Sequence, residues 1–201
     1  FKDGLRVTSK EDMEVVQKVL CELNHEITAD IKKLGGKAVS LNALNKGVIK
    51  ARPHRESKQL GFVGEVEGID FDIIRKAVRP RSVPVVSSVG IGPDSSYYNV
   101  NADEVSSEIA VAIKAVKLVL LTDVKGIMEK KGDLISTLTV GDTERLIGED
   151  VIQTGMIPKV KACTKALKTG VSKTHIIDGR IPHSLLLEIF TDKGIGTEII
   201  R

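Results

Sequence analysis

Residues suited to chemistry gather in four short stretches. In "NVNADEV" (99–105), Asn99, Asn101 and Asp103 stand at every second position, separated by Val100 and Ala102. An extended backbone would point all three the same way, yet Asn and Asp are poor strand formers. The stretch is therefore either a turn with a helix cap or a set of groups that holds something polar. Asp103 opens a helical pattern through Val105, Ile109 and Ile113, which makes it the expected N-cap. In "TGMIPKVKA" (154–162), Pro158 suits the first turn of a helix. Gly155 and Met156 then lead into that helix with exposed N–H groups, the arrangement that attracts phosphate. Lys159 sets a cation against the helix dipole, which is unfavourable unless an anion sits there or the side chain bends to solvent. "TDVKGI" (122–127) follows an apolar run, and Asp123 and Gly126 make either a tight turn against a nucleotide or an ordinary Asp/Gly turn. Arg6, in "DGLRVT", either grips a carboxylate bidentately or is a solvated surface arginine.

These residues need a scaffold. Thr8 or Ser9 caps a helix whose first turn carries Glu11 and Asp12, and Met13, Val16, Leu20, Leu23, Ile27, Ile31 and Leu34 recur at helical spacing until Gly35 and Gly36. "KAVSL", "GVIKARP" and "LGFVGEVEGI" read as strands of a small antiparallel hairpin excursion, and "VPVVSSVGIG" as one buried strand ending in a glycine-rich loop. Asp70 to Val78 reads as a short helix. Beyond come a helix over 103–116, strand "KLVLLTDV", a hairpin-like "GIMEKKGDLISTL", helices from about 140 and over 157–168, and strand "THIID". A helix over 182–190, with Leu185, Leu186 and Ile189 expected to pack on the sheet, precedes strand "GTEII". Strands alternating with helices predict an α/β sandwich with a mainly parallel sheet, where ligands bind beyond the carboxyl ends of the strands.

Composition narrows the partners. With 201 residues, 41% of them hydrophobic, and a mean hydropathy of +0.01, the chain can bury a sizeable core. Its 30 basic residues are spread along the chain and nearly balanced to net +3, and aromatics are only 3% with no Trp. Both features argue against nucleic acid as a partner. Cys21 and Cys163 lie in apolar helical patterns and read as buried, reduced thiols rather than a disulfide or metal pair, so a reducing compartment and no metal site are expected. There is no run of about 18 apolar residues and no signal peptide, so no membrane partner is expected. Phe1 falls in mid-pattern, which suggests an upstream segment.

Taken together, "FKDGLRVT", "LGFVGEV", "YNVNAD", "LLTDVKGI", "GMIPKVKA", "HIIDGR" and "HSLLLEIFTDKGIGTEI" resemble the acetylglutamate kinases of the amino acid kinase family, in unbroken motif order along the chain. The resemblance implies a three-layer αβα sandwich, with a substrate-binding lobe over roughly 1–100 and a nucleotide-binding lobe over 101–201. It implies ATP with Mg²⁺ as cofactor, and phosphorylation of the side-chain carboxylate of N-acetyl-L-glutamate in the second step of arginine biosynthesis. A homo-oligomer, dimer or hexamer, is implied in the cytoplasm, or in the plastid if the source is a photosynthetic eukaryote. Residue by residue, Arg6 and Asn99 match groups that hold acetylglutamate. Asp103 matches the aspartate that organises the catalytic lysines, and Lys159 the lysine that stabilises the transferring phosphoryl group. Asp123, Val124, Gly126 and Ile127, with Gly155 and Met156, match the ATP-binding loops. "PHSLLLEIFTDKGIGT" (182–197) matches the lobe that helps bind arginine in arginine-inhibited members, with His183 and Gly194 as effector residues. A PII-type signalling protein is a partner in some photosynthetic relatives.

The chain also departs from the family. Members begin with a strand and a glycine-rich loop that carry a second catalytic lysine and a Gly-Gly pair, so about a quarter to a third of the domain is expected upstream of Phe1. "SLNALNKG" (40–47) replaces a glycine-richer turn containing Asp, and Thr154 stands where glycine is common. Two other readings stay open: an incomplete or regulatory form that binds arginine or a PII-type protein, and another kinase of the family acting on aspartate, glutamate or carbamate.

Overall fold

Ser9 starts the first helix, α1 (Lys10–Lys33). Its hydroxyl accepts from the Asp12 N–H while its own N–H donates to the Asp12 carboxylate, a reciprocal capping box. Glu11 and Asp12 face the positive end of the dipole, Lys32 and Lys33 the negative end, and Gly35 follows with φ 83°. The structure, a computed structural model, describes residues 5–45, 47–78, 81–153, 155–191 and 194–201. Thr154 and the first four residues of "FKDGLRVT" lie outside the described residues.

The chain divides into two units, Phe1–Ile113 and Lys114–Arg201. In the first, α1 is followed by β1 (Ala38–Leu41), β2 (Ile49–Pro53), α2 (Ser57–Leu60), β3 (Val63–Ile69) and α3 (Phe71–Val78). Then come β4 (Val83–Val86), β5 (Val89–Ile91), β6 (Tyr97–Val100) and α4 (Ala102–Ala112). Strands β2, β3, β6 and β5 pair round in a closed ring. The β2–β3 and β5–β6 pairs are antiparallel, and the β3–β6 and β2–β5 pairs parallel.

Two expectations fail in this unit. β1 pairs in parallel with β4, so "KAVSL" stands outside the antiparallel excursion. "VPVVSSVGIG" is two strands, because its adjacent serines bond in different directions: the Ser87 N–H donates to Leu41 O, while Ser88 O accepts from the Val100 N–H. The asparagine-rich turn after β1 is held by its own side chains. Asn42 Oδ1 accepts from the Leu44 and Asn45 N–H groups, Asn45 Oδ1 accepts from the Asn42 N–H, and buried Asn24 ties α1 to Ser40 and to Val85 O. Leu41, Ile49, Ala51, Ile74, Tyr98, Val100 and Val105 form the core of the unit.

The second unit contains β7 (Lys117–Thr122), β8 (Thr137–Thr139), α5 (Val140–Gly148), α6 (Ile157–Lys168), β9 (Lys173–Asp178), α7 (Ser184–Phe190) and β10 (Thr197–Ile200). Its sheet runs β7-β9-β10-β8. β9 is buried from Thr174 to Asp178, as befits a strand covered on both faces, and α6 buries Val160, Cys163, Ala166 and Leu167. β7 is parallel to β9 and β10 to β8, whereas β9 and β10 are antiparallel. Counted over both units, five of the eight strand pairings among the described residues are parallel (β1–β4, β2–β5, β3–β6, β7–β9 and β8–β10), the mainly parallel α/β fold expected.

Helix α7 corrects the packing expected of it. Leu185, Leu186 and Ile189 are 42%, 53% and 49% exposed, while Ser184 and Glu188 are the residues it buries. Glu188 turns inward because His175 of β9 and the Ile195 N–H both lie within reach of its carboxylate.

Candidate functional site

Thr8 joins Arg6 to Asn99. Its hydroxyl donates to Arg6 O at 2.9 Å and accepts from the Asn99 side-chain amide at 3.2 Å. Thr8 is fully buried, and its backbone is fastened on both sides: its N–H donates to Leu60 O, and its carbonyl accepts from the Phe62 N–H. Gly61 lies between those two partners with φ 66°, where a Cβ would come 2.2 Å from Thr8 O, so the close approach requires glycine. Asn99 belongs to β6, opposite Val63 and Val89. These contacts bring Arg6 and Asn99 to one cleft of about 480 Å³, with Ser88 and Asn101 beside them and Val15, Val16, Val19 and Leu20 of α1 as an apolar wall. A few polar groups convergent in an apolar pocket suit a small polar ligand with a hydrocarbon stem.

Asn101, not Asp103, caps α4. Its Oδ1 accepts from the Asp103 N–H at 2.9 Å and from the Glu104 N–H at 3.1 Å. β6 ends at Val100, so the alternation stops there. Asn101 keeps the extended backbone of a cap (φ −61°, ψ 124°), while Asp103 already lies in the first helical turn, where its carboxylate suits the dipole. The Asp103 side chain is half-buried.

In the second unit, β7 and β9 run in parallel register from Lys117 opposite Lys173 to Thr122 opposite Asp178, so the turns after both strands leave the same edge. In the first turn Asp123 and Val124 are exposed, whereas Gly126 and Ile127 are buried. Gly126 (φ 146°) would bring a Cβ 2.7 Å from Thr197 Oγ1, and the Ile127 N–H donates to that same oxygen at 2.8 Å. Gly126 and Ile127 thus anchor the turn, and Asp123 and Val124 face outward. Beyond β9, buried Asp178 holds Arg180 through three bonds: from Nε at 3.0 Å, from Nη2 at 2.8 Å and from the Arg180 N–H at 2.9 Å. The Arg180 side chain, its N–H and the charge of nearby Lys125 hold the Asp178 carboxyl down at about 2. Neither residue stands among the sequence-derived candidates, although Asp-Gly-Arg directly after a buried strand is the signal that marks them.

Lys159 is half-buried in the first turn of α6. The approach through Gly155 and Met156 has fewer open donors than expected. The Met156 and Ile157 N–H groups both donate to Gln153 O, at 2.8 and 3.2 Å, because the chain turns back under the helix start, and Pro158 has no N–H. Met156 stands at the cap position without a side-chain cap bond.

Near the C-terminus, His183 is exposed and flanks α7 in the left-handed conformation (φ 59°). Gly194 (φ 60°) would place a Cβ 2.8 Å from Glu188 Oε2, which accepts from the Ile195 N–H. Glu188 Oε1 lies 2.5 Å from His175 Nδ1, and Glu198 lies 3.7 Å from the other ring nitrogen. Burial, with the charge of Lys117 second, pushes His175 below its ordinary value against the opposing pull of Glu188. His175, Glu188 and Glu198 line a cavity of about 580 Å³ with Lys117, Lys173 and Gly194; His183 is not among its lining residues.

Among the described residues no three His, Cys, Asp or Glu side chains cluster as a metal cage, and no helix is long and apolar enough to cross a membrane. Residues 1–178 match the model of the amino acid kinase family. The acetylglutamate kinase of Desulforamulus reducens is 51% identical over 205 aligned positions, covering all of this chain and 71% of the relative. That of Syntrophomonas wolfei is 48% identical with the same coverage. Among solved structures, smu.665 from Streptococcus mutans superposes with a TM-score of 0.85 at 30% identity, over all of this chain and 76% of its own. N-acetylglutamate synthase from Neisseria gonorrhoeae superposes with a TM-score of 0.90 at 24% identity over 46% of its length, a likeness of fold. With the family model matched along most of the chain and named relatives near half identity, this chain belongs to the amino acid kinase family, among its acetylglutamate kinases.

Proposed function

We propose that the chain transfers the γ-phosphoryl group of ATP to the side-chain carboxylate of N-acetyl-L-glutamate, forming N-acetyl-L-glutamyl 5-phosphate in the second step of arginine biosynthesis. The relatives' shared name gives the reaction, and the Arg6–Thr8–Asn99 cleft is the observation in the geometry that supports it best. Acetylglutamate carries two carboxylates and an acetamide on a short hydrocarbon stem. Arg6 offers a bidentate fork to one carboxylate, the Asn99 and Ser88 side chains offer polar bonds, and the valines of α1 take the stem.

The nucleophile needs no base, since a carboxylate of pKa about 4.3 is ionised at neutral pH. What opposes the reaction is the approach of two anions, so catalysis is positioning plus positive charge. Lys159 supplies that charge to the transferring phosphoryl group, and Asp103 takes the part of the aspartate that organises the family's catalytic lysines. The outward residues Asp123 and Val124, on the turn anchored by Gly126 and Ile127, hold nucleotide together with Gly155 and Met156. Mg²⁺ carried on the nucleotide phosphates would supply further positive charge there. Buried Cys21 and Cys163, held in no disulfide, suit the reducing cytoplasm, and exposed Leu23 and Ile27, one turn apart on α1, suit burial in a homo-oligomer. Phosphorylation of acetylglutamate, compared with aspartate, glutamate and carbamate, by full-length protein carrying this sequence is the test. Turnover of another acceptor in preference to acetylglutamate would overturn the substrate.

The C-terminal cavity, which Gly194 lines and His183 does not, supports a second, regulatory role in which arginine binds beside Gly194. Buried Glu188 and half-buried Glu198 suit a guanidinium, and Lys117 and Lys173 suit a carboxylate. Calorimetric titration with arginine tests it, and absence of arginine-specific heat would remove the role.

A further inference from the structure

We propose that Arg180, held in place by Asp178, is a nucleotide-positioning residue whose guanidinium plane carries the adenosine half of the nucleotide. The inference rests on the kinase reading above. It starts from the "DGR" turn, to which none of the roles above assigns a ligand. Thr122 and Asp178 stand opposite each other at the ends of two parallel strands, and the Gly179 N–H donates to Thr122 O at 2.8 Å. The turn bearing Arg180 is therefore stitched to the start of the turn bearing Asp123, at the edge where open α/β sheets take their ligands.

The geometry of the pair is that of a prepared surface. Asp178 is 6% exposed at its side chain and Arg180 66%, so the carboxylate is an anchor and the guanidinium is what the solvent meets. Two of the five guanidinium N–H donors go to Asp178, which fixes the plane and leaves three donors and the planar faces for a ligand. An unanchored arginine would lose rotamer freedom on stacking. Asp178 has already removed that freedom, so the ligand meets a surface that needs little ordering.

Charge decides which part of the nucleotide suits this surface. Asp178 feels the charges of Arg180 and Lys125, and Arg180 those of Asp178 and Asp123, so two anions stand against two cations with no net attraction for a polyphosphate. A neutral purine needs a flat cation-bearing plane and hydrogen-bond partners, and guanidinium planes stack on bases. The exposed Asp123 carboxylate beside it can accept from ribose hydroxyls.

The test compares wild type, Arg180→Ala, Arg180→Lys and Asp178→Asn in the full-length protein, measuring KM for ATP, Ki for ADP and AMP, KM for acetylglutamate and Tm. Arg180→Ala is expected to weaken ATP, ADP and AMP by the same factor of about tenfold, the size of a partly desolvated cation–π contact. KM for acetylglutamate should stay put, whereas Tm should fall, because buried Asp178 loses the guanidinium that holds its carboxyl low. Arg180→Lys should not rescue, because it restores charge without the plane, and Asp178→Asn should reproduce part of the loss. A loss that grows with the number of phosphates, full rescue by lysine, or unchanged nucleotide constants in Arg180→Ala each overturn the proposal while leaving the kinase reading intact. Wild-type protein that binds no nucleotide overturns both.

Discussion

The side-chain amide of Asn99 meets the Thr8 hydroxyl at 3.2 Å, and the same hydroxyl donates to the carbonyl of Arg6. One buried threonine thus sets the spacing between two residues assigned to the acceptor, from segments that lie 91 positions apart.

Thr8→Val removes that hydroxyl at nearly constant volume. The loss of a buried partner is worth about 1–3 kcal/mol, so KM for acetylglutamate should rise by about fivefold or more while KM for ATP is unchanged. Steady-state kinetics with each substrate varied in turn would show it, and an acetylglutamate KM equal to wild type would sink the positioning role of Thr8.

Asn101 and Asp103 should separate cleanly by mutation. Asn101→Ala removes the cap of α4 and should cost about 1 kcal/mol, which lowers Tm by about 2–4 °C in a domain of this size. Asp103→Ala should leave the cap in place and reduce kcat. Differential scanning calorimetry alongside turnover measurements distinguishes them, and the reverse pattern would return the cap to Asp103.

Lys159→Ala in the full-length enzyme should lower kcat by about 10²–10³-fold, the effect of removing one group that stabilises transition-state charge. Tm measured alongside separates a folding defect from a catalytic one. Wild-type turnover in this variant would remove Lys159 from the reaction.

The Asp178–Arg180 pair gives stability a defined acid dependence. Asp178 is held at about 2, below its ordinary 3.8. A depressed folded-state value means that its contribution is fully present above the unfolded value and is lost as pH falls from about 4 towards about 2. Tm of wild type should therefore exceed that of Asp178→Asn at neutral pH, and the gap should close across that window. A gap that stays constant down to pH 2 would assign the stabilisation to packing.

Much of the scaffold was legible because its signals are local. The Ser9 capping box, the helical spacing down α1 and the Pro158 that marks the start of α6 are each settled within a few residues of chain. The strand that starts at "KLVLL" was readable for the same reason. Which strand pairs with which was not. The Ser87–Ser88 step separates β4 from β5 only because Leu41 and Val100 offer hydrogen bonds on different sides, and neither partner is near in sequence.

The candidate site divides the same way. Sequence by itself selected Arg6, Asn99, Asp103 and Lys159, since residue type and motif order suffice to nominate charged and amide groups. It also placed Glu188 on a helix, but with the leucines turned to the sheet. Tertiary structure alone decided that Glu188 is the buried residue, that Asn101 holds the cap, that Thr8 joins Arg6 to Asn99, and that Arg180 is fastened beside Asp123. The physical reason is common to all four. A polar side chain takes its role from the partner that satisfies it, and a choice between near neighbours or among partners distant in sequence is settled only when the backbone has brought them within about 3 Å.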